Sequence, residues 1–371
     1  MKICHVIYIP RLSGAEILVR DLAISHTKLG HQVSVLALDP PEDSFSTQIS
    51  YLKDNGVEIF LPLRKIGKIA RIKFLIEQIN RCNPDVIVAH SIIPSAYTRL
   101  SLKWTNIQNI PVVSVLHDGS QNDYSSLYFR ILERYFIPSP SCVVALTDIA
   151  KSNYQHMVGS QVRVEIIPNG IDLSILNNAQ SRRREVRDRI FSAQDNECIF
   201  LQVGRFQETK QQDLSIQAFI QACQNSNFSG KLFLAGLVED IKFEKYLKAL
   251  IENARLSDRI TILGPRSDVP ELLASADVYL MPSKQEAHSI AFLEALASGI
   301  SIIASNISSF KFGLEFTGVK LLETTSIDLW KDEILNTSPI STGKRWARNL
   351  HCFGVDEMAS KYMSVLTTIT K

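Results

Sequence analysis

Two doubly wound α/β domains in tandem, each built on a parallel sheet, are the architecture this sequence predicts. Three observations carry that reading. Short apolar runs recur along the whole chain, and most are near-continuous rather than alternating, as strands covered on both faces read. Segments with helical periodicity separate them. With 371 residues the chain is long enough for two domains of ordinary size.

The first set of strands is predicted at 3–9, 33–38, 57–61, 85–90, 112–117, 142–146 and 164–167, with helices such as 14–29 and 92–103 between them. The turn cluster Pro168-Asn169-Gly170-Ile171-Asp172 ends this set, and a polar, basic segment from Ser181 to Glu185 follows. A second set is predicted at 198–204, 232–236, 260–264, 278–281, 300–304 and 319–322. A last helix spans about 355 to 369. The domains are therefore placed at 1–172 and 173–354, with 355–371 as a terminal helix. The Asn-Gly step at Gly170 suggests a backbone position with φ > 0.

Composition narrows the class. Apolar residues make up 45% and charged residues 21%, as in a folded soluble protein. The formal net charge of +2 is too small to point to nucleic acid as the main partner. Six cysteines (Cys4, Cys82, Cys142, Cys198, Cys223, Cys352) are far apart and lack metal-ligand spacing, which fits free thiols in a reducing compartment. The first residues read as a strand too short for a signal peptide, and no window reaches the roughly 18 apolar residues of a membrane span. A cytoplasmic protein is expected, with any membrane contact from that side.

In open α/β sheets ligands gather beyond the carboxyl ends of the strands. The richest such place is Met281 to Ser305. A strand ends in Pro282-Ser283, a polar loop carries Glu286, and a helix from about Ser289 to Ala297 carries Glu294. Gly299 stands where a helix C-cap glycine belongs. Backbone N–H groups near Ala287, His288, Ser289 and Ile290 would face an anion, and Glu294 can bond vicinal hydroxyls. An ordinary strand–loop–helix unit with solvated acids accounts for these residues equally well.

Gly204, Arg205 and Lys210 follow the first strand of the second domain. A planar guanidinium fork and a mobile ammonium together suit a diphosphate, or simply decorate a surface. In the first domain, Gly14 stands between the first strand and its helix, where it lets a ligand approach or only shapes the turn. No G-x-G-x-x-G fingerprint is present there. His90 and His117 each close a strand, where an imidazole can contact a hydroxyl or be satisfied structurally. The helix at 66–80, with Lys65, Lys68, Arg71 and Lys73 near its start, is either a solvated crossover helix or a surface for an anionic membrane. Gly264 to Asp268 needs no explanation beyond a loop.

Glu286 and Glu294, followed by Ala295-Leu296-Ala297-Ser298-Gly299, resemble the E-x7-E signature of retaining nucleotide-sugar glycosyltransferases of family 4, with the GT-B fold. Ala287-His288-Ser289-Ile290 departs from the Gly- and Phe-rich loop usual there. Gly204-Arg205 with Lys210 is similar to the family's G-R-x-x-x-x-K element. Ser13-Gly14-Ala15-Glu16 is similar to its G-G-A-E loop, with Ser13 for the first glycine. His117-Asp118-Gly119 resembles the segment whose histidine contacts the donor sugar, and Pro168 to Asp172 matches the domain-junction motif.

The resemblance implies two Rossmann-like domains facing across a cleft, with the last helix packing back on the first. It implies His117, Arg205, Lys210 and Glu286 as catalytic residues and Gly14, Gly204, His288, Ser289, Ile290 and Glu294 as donor-binding ones. Transfer would run with retention, from a UDP-sugar by family precedent, to a glycan or lipid-linked acceptor in polysaccharide or glycoconjugate synthesis. With no D-x-D motif, the two cations rather than a metal would neutralise the diphosphate, so no cofactor is expected. A sugar-nucleotide epimerase and a silent nucleotide-sugar-binding protein remain as alternatives. The missing glycine fingerprint weighs against a nicotinamide-dependent oxidoreductase.

Overall fold

Seven parallel strands form the first sheet and six the second, in a computed structural model that describes residues 1–107, 109–117, 127, 130–131, 133, 141–194, 196–340 and 345–371. The chain divides into two units, 1–171 with 351–371 and 172–350.

In the first unit the strands are β1 (Lys2–Ile7), β2 (Gln32–Ala37), β3 (Glu58–Phe60), β4 (Val86–His90), β5 (Val112–Leu116), β6 (Ser141–Ala145) and β7 (Arg163–Ile166). They lie in the order β3-β2-β1-β4-β5-β6-β7. Helices α1 (Gly14–Lys28), α2 (Ser46–Asp54), α3 (Lys68–Cys82), α4 (Ile92–Leu102) and α5 (Asp148–Val158) connect them. Strands β4 and β5 are buried along their full length, the reason their apolar runs are unbroken. The C-terminal helix, Val355–Ile369, belongs to this unit and buries Met358, Ala359, Tyr362, Val365, Leu366 and Ile369 at helical spacing. Asp356 near its start accepts from Ser25 of α1 at 3.3 Å.

Gly170 serves this helix in a way the sequence did not suggest. Its backbone is not in the left-handed region. An added Cβ would instead lie 2.8 Å from Gly354 O and 2.9 Å from Met358 Cβ. Hydrogen bonds from Ile171 N to Phe353 O and from Val355 N to Ile171 O, both 2.9 Å, hold the two segments at that distance. Close approach, not a positive φ, requires the glycine.

The second unit has β8 (Cys198–Val203), β9 (Gly230–Ala235), β10 (Ile260–Gly264), β11 (Val278–Met281), β12 (Ser301–Ser305) and β13 (Val319–Leu322), ordered β10-β9-β8-β11-β12-β13. Its helices include α6 (Leu173–Ala179), α7 (Arg183–Val186), α8 (Gln212–Ala222), α9 (Ile241–Asn253), α10 (Val269–Ser275), α11 (Ile290–Ala297) and α12 (Ile327–Leu335). In both sheets the strand order reverses beside the first strand of the set, between β1 and β4 and between β8 and β11. These are the switch points where a ligand crevice opens.

The basic stretch after the turn cluster is structural. Arg183 and Arg187 donate to the two oxygens of fully buried Asp277 at 2.8 and 2.9 Å, and Ile199 N donates to the same carboxylate at 2.8 Å. A buried carboxylate so supplied meets its desolvation cost with charge-assisted bonds. Among the described residues, no helix is long and apolar enough to cross a membrane.

Candidate functional site

The switch point of the second sheet gathers the strongest sequence candidates. After β8 the chain passes Gly204 and Arg205 into a 3-10 turn, Glu208–Lys210. After β11 it passes Pro282 and Ser283 to Glu286. Lys284 N donates to Thr209 O at 2.8 Å, so the two loops are tied together by their backbones. Ser305, at the end of β12, donates to Ser283 O at 2.5 Å and holds the second loop against the sheet.

On that frame Lys210 Nζ donates to Glu286 Oε1 at 2.6 Å, and Ser283 Oγ donates to the same oxygen at 2.8 Å. The two side chains are only 15% and 10% exposed. Gln202 Nε2 donates to Lys210 O at 2.9 Å and fixes the lysine from below. An added Cβ at Gly204 would stand 3.8 Å from Lys210 Cγ, an ordinary van der Waals contact, so the lysine stem packs beside this turn without requiring a glycine there.

Glu294 lies on α11. Tyr279 lies within electrostatic reach of both acids. Its hydroxyl, fully buried, donates to Val203 O at 3.0 Å. Burial pushes its pKa well above the ordinary value, and the carboxylates of Glu294 and then Glu286 push it further. One fixed hydroxyl therefore lies in the field of both acids. At the start of α11 Ser289 is the N-cap, its side chain accepting from Phe292 N at 3.4 Å, and Ile290 is the first helical residue. Gly299 has φ +70, as its C-cap place predicts. Beyond that end, Arg348 donates to Leu296 O at 3.0 Å and Ile300 O at 2.8 Å, and Arg345 to Ser298 O at 2.6 Å. Two cations on the terminal carbonyls complement the helix dipole.

Other candidates stand differently. Arg205 is about one third exposed and pairs with Glu239 at 2.6 Å, a partner contributed from beyond β9. The ring of His288 is 7% exposed and stacks on Phe312 with centroids 5.4 Å apart; burial pushes its pKa down to about 4. It is packed into the unit rather than open to solvent.

In the first unit Gly14 opens α1 and is exposed, and Ser13 beside it donates to Glu16. His117 follows β5, half-buried, with burial pushing its pKa down to about 4. Asp118 and Gly119 lie outside the described residues. Arg71 does not belong to a basic face. It is buried, bonds both oxygens of Asp39 at 2.7 and 2.8 Å, and lies over the Tyr8 and Tyr97 rings.

A family model described as Glycosyltransferase Family 4 matches residues 12–175, and one described as Glycosyl transferases group 1 matches residues 183–315. The chain belongs to the family 4 glycosyltransferases. Among its relatives, the UDP-Gal:alpha-D-GlcNAc-diphosphoundecaprenol alpha-1,3-galactosyltransferase of Escherichia coli is 25% identical over 345 residues, covering 88% of this chain and 85% of that one. The alpha-monoglucosyldiacylglycerol synthase of Acholeplasma laidlawii is 24% identical, covering 80% and 77%. The crystal structure of Anabaena HepE in complex with UDP and glucose superposes with a TM-score of 0.79 at 19% identity, over 99% of this chain and all of that one. The fold of this glycosyltransferase is thus GT-B.

Sequence reading missed Glu239, Ser283 and Tyr279. Ser283 was readable as a hydroxyl three residues before Glu286. Glu239 and Tyr279 were not, since their roles depend on which strand ends lie side by side.

Proposed function

We propose that this glycosyltransferase moves a sugar from a nucleoside diphosphate, a UDP-sugar first among candidates, to a hydroxyl of a glycan or lipid-linked acceptor, with retention and without a metal ion. The observation that carries the reading is the half-buried Lys210–Glu286 pair at 2.6 Å, at the switch point of the second sheet. An ammonium has three donors, and one engages Glu286, leaving two for phosphate oxygens. Negative charge builds on the departing phosphate. Lys210, the N–H groups at the start of α11 and Arg205 would stabilise it, an electrostatic contribution set in place before the reaction. Glu286 would take hydroxyls of the sugar and Glu294 those of the ribose. His117 has the role the family resemblance implies, contact with the donor sugar.

The relatives' names support donor and acceptor class, since they include a UDP-galactose-dependent enzyme acting on a diphosphoundecaprenol and a diacylglycerol-modifying synthase. Work at the cytoplasmic face of a membrane would suit such acceptors. Exposed Lys65, Lys68 and Lys73, with exposed Leu63 and Ile69, offer the surface for it.

Thermal-shift screening of UDP, GDP, ADP and their sugar conjugates tests the reading. A ligand at about 100 times its dissociation constant adds about 2.7 kcal/mol of stability. Lys210→Ala and Glu294→Gln should each lose most of the matching nucleotide's shift. Full shifts in both variants would overturn the assignment.

A further inference from the structure

Behind His117 stand two more histidines, placed by strand register. β1 pairs His5 with Val88 of β4, and β4 pairs His90 with Val115 of β5. The series therefore advances two residues toward the carboxyl end at each strand, which keeps all three side chains on one face of the sheet. Their rings stack with centroids 5.3 and 5.2 Å apart. The contacts between them are made by ring nitrogens, His5 Nδ1 to His90 Nε2 at 3.0 Å and His90 Nδ1 to His117 Nε2 at 3.0 Å. His26 of α1 closes the inner end. It stacks on His5 at 5.5 Å and meets Tyr362 of the C-terminal helix edge-on.

Burial holds all four imidazoles below their ordinary pKa, His117 and His26 at about 4, so the series is neutral near pH 7. A neutral imidazole has one donor nitrogen and one acceptor. Each nitrogen–nitrogen contact holds one proton, so the choice at one contact dictates the other. Protons point either outward, from His5 through His90 to His117, or inward. The inner end separates the two states, because His5 Nε2 is buried with no hydrogen-bond partner. Inward polarity would put an N–H there, and a buried orphan N–H is a rarer feature than a buried orphan acceptor. Outward polarity leaves only a lone pair.

We propose that His5 and His90 are positioning residues that lock His117 with its proton on Nδ1, so that it meets a substrate oxygen as a hydrogen-bond donor and not as a base. The proposal rests on the reading that His117 contacts the donor sugar. A locked donor polarises a sugar hydroxyl without removing a proton, so it does not activate water against the donor.

Protein labelled with 15N at histidine tests this, because ring-nitrogen shifts and couplings show which nitrogen carries the proton. Wild type should show His117 protonated on Nδ1 at pH 7. His90→Leu should release that tautomer, and so should His5→Leu, which is two rings away. His90→Asn, whose amide places an N–H where Nδ1 was, should keep it. With donor and acceptor, His90→Leu should lower kcat about 10- to 100-fold, the scale of lost orienting partners. KM for the donor should hardly move, and His90→Asn should restore kcat. His117 protonated on Nε2 in wild type, or His90→Leu with tautomer and kcat unchanged, would overturn the proposal. Should His90→Leu fail to fold, the wild-type spectrum and His90→Asn still decide. Absence of transfer from any donor would refute the proposed function, whereas the tautomer spectrum judges this proposal alone.

Discussion

Lys210 and Glu286 lend themselves to a double-mutant cycle, with Lys210→Met and Glu286→Gln singly and together. Exposed ion pairs couple by about 0.2–1 kcal/mol, and breaking a fully buried one costs about 3–5 kcal/mol. This pair is 15% and 10% exposed, and Ser283 Oγ keeps a second bond to the carboxylate. The structure therefore places its coupling between those limits, at about 1.5–3 kcal/mol. Lys210→Met leaves a carboxylate with one hydroxyl donor in a half-dry crevice; the double variant removes both charges of the pair and should be more stable than the two single losses sum to. Denaturant unfolding of the four proteins without nucleotide measures this directly. Independent sites add within about 0.3–0.5 kcal/mol, so a coupling that small would refute the pairing.

Gly170→Ala should destabilise the protein by about 1–3 kcal/mol, since its Cβ would crowd Gly354 O and Met358 Cβ; an unchanged melting temperature would count against the packing of the C-terminal helix described above. Stability should fall as pH drops below about 6.5, because His26 has a folded pKa of about 4 against 6.5 and the unfolded chain binds its proton first. Each pH unit between those values costs about 1.4 kcal/mol for that group. His26→Phe should flatten the pH dependence of unfolding by that amount, and an equal slope in the variant would contradict it. Vesicles containing anionic lipid should sediment the protein at low salt, and reversing Lys65, Lys68 and Lys73 to Glu should abolish this. Arg71, already paired with Asp39, should be irrelevant to the charge effect.

Much of this was legible because parallel strands buried on both faces announce themselves. All thirteen predicted strands are present, seven in one sheet and six in the other, most within two residues of their predicted ends. The helix that carries Glu294 was legible too, from its apolar run and the glycine after its last turn, while the two acids themselves read equally well as solvated. What escaped depends on neighbours distant in sequence. Arg71 read as one of four basic residues near a helix start, yet Asp39 just after β2 draws it inward. Arg183 read as part of a polar, basic segment after the turn cluster, yet it and Arg187 both bond Asp277, 94 and 90 residues further along the chain. His5 sits in an apolar run and signals nothing until the registers of β1, β4 and β5 are laid side by side.

Acceptor-dependent release of nucleoside diphosphate is the most direct test of the central claim. Wild type, with chelator present, should release the nucleotide from one sugar donor only when a hydroxyl acceptor is added, and the new glycosidic bond should keep the donor's anomeric configuration. Lys210→Met should lower that rate about 100- to 1,000-fold, the loss typical of one transition-state donor. Isomerised donor without acceptor, an inverted product, or full activity in Lys210→Met would contradict the account.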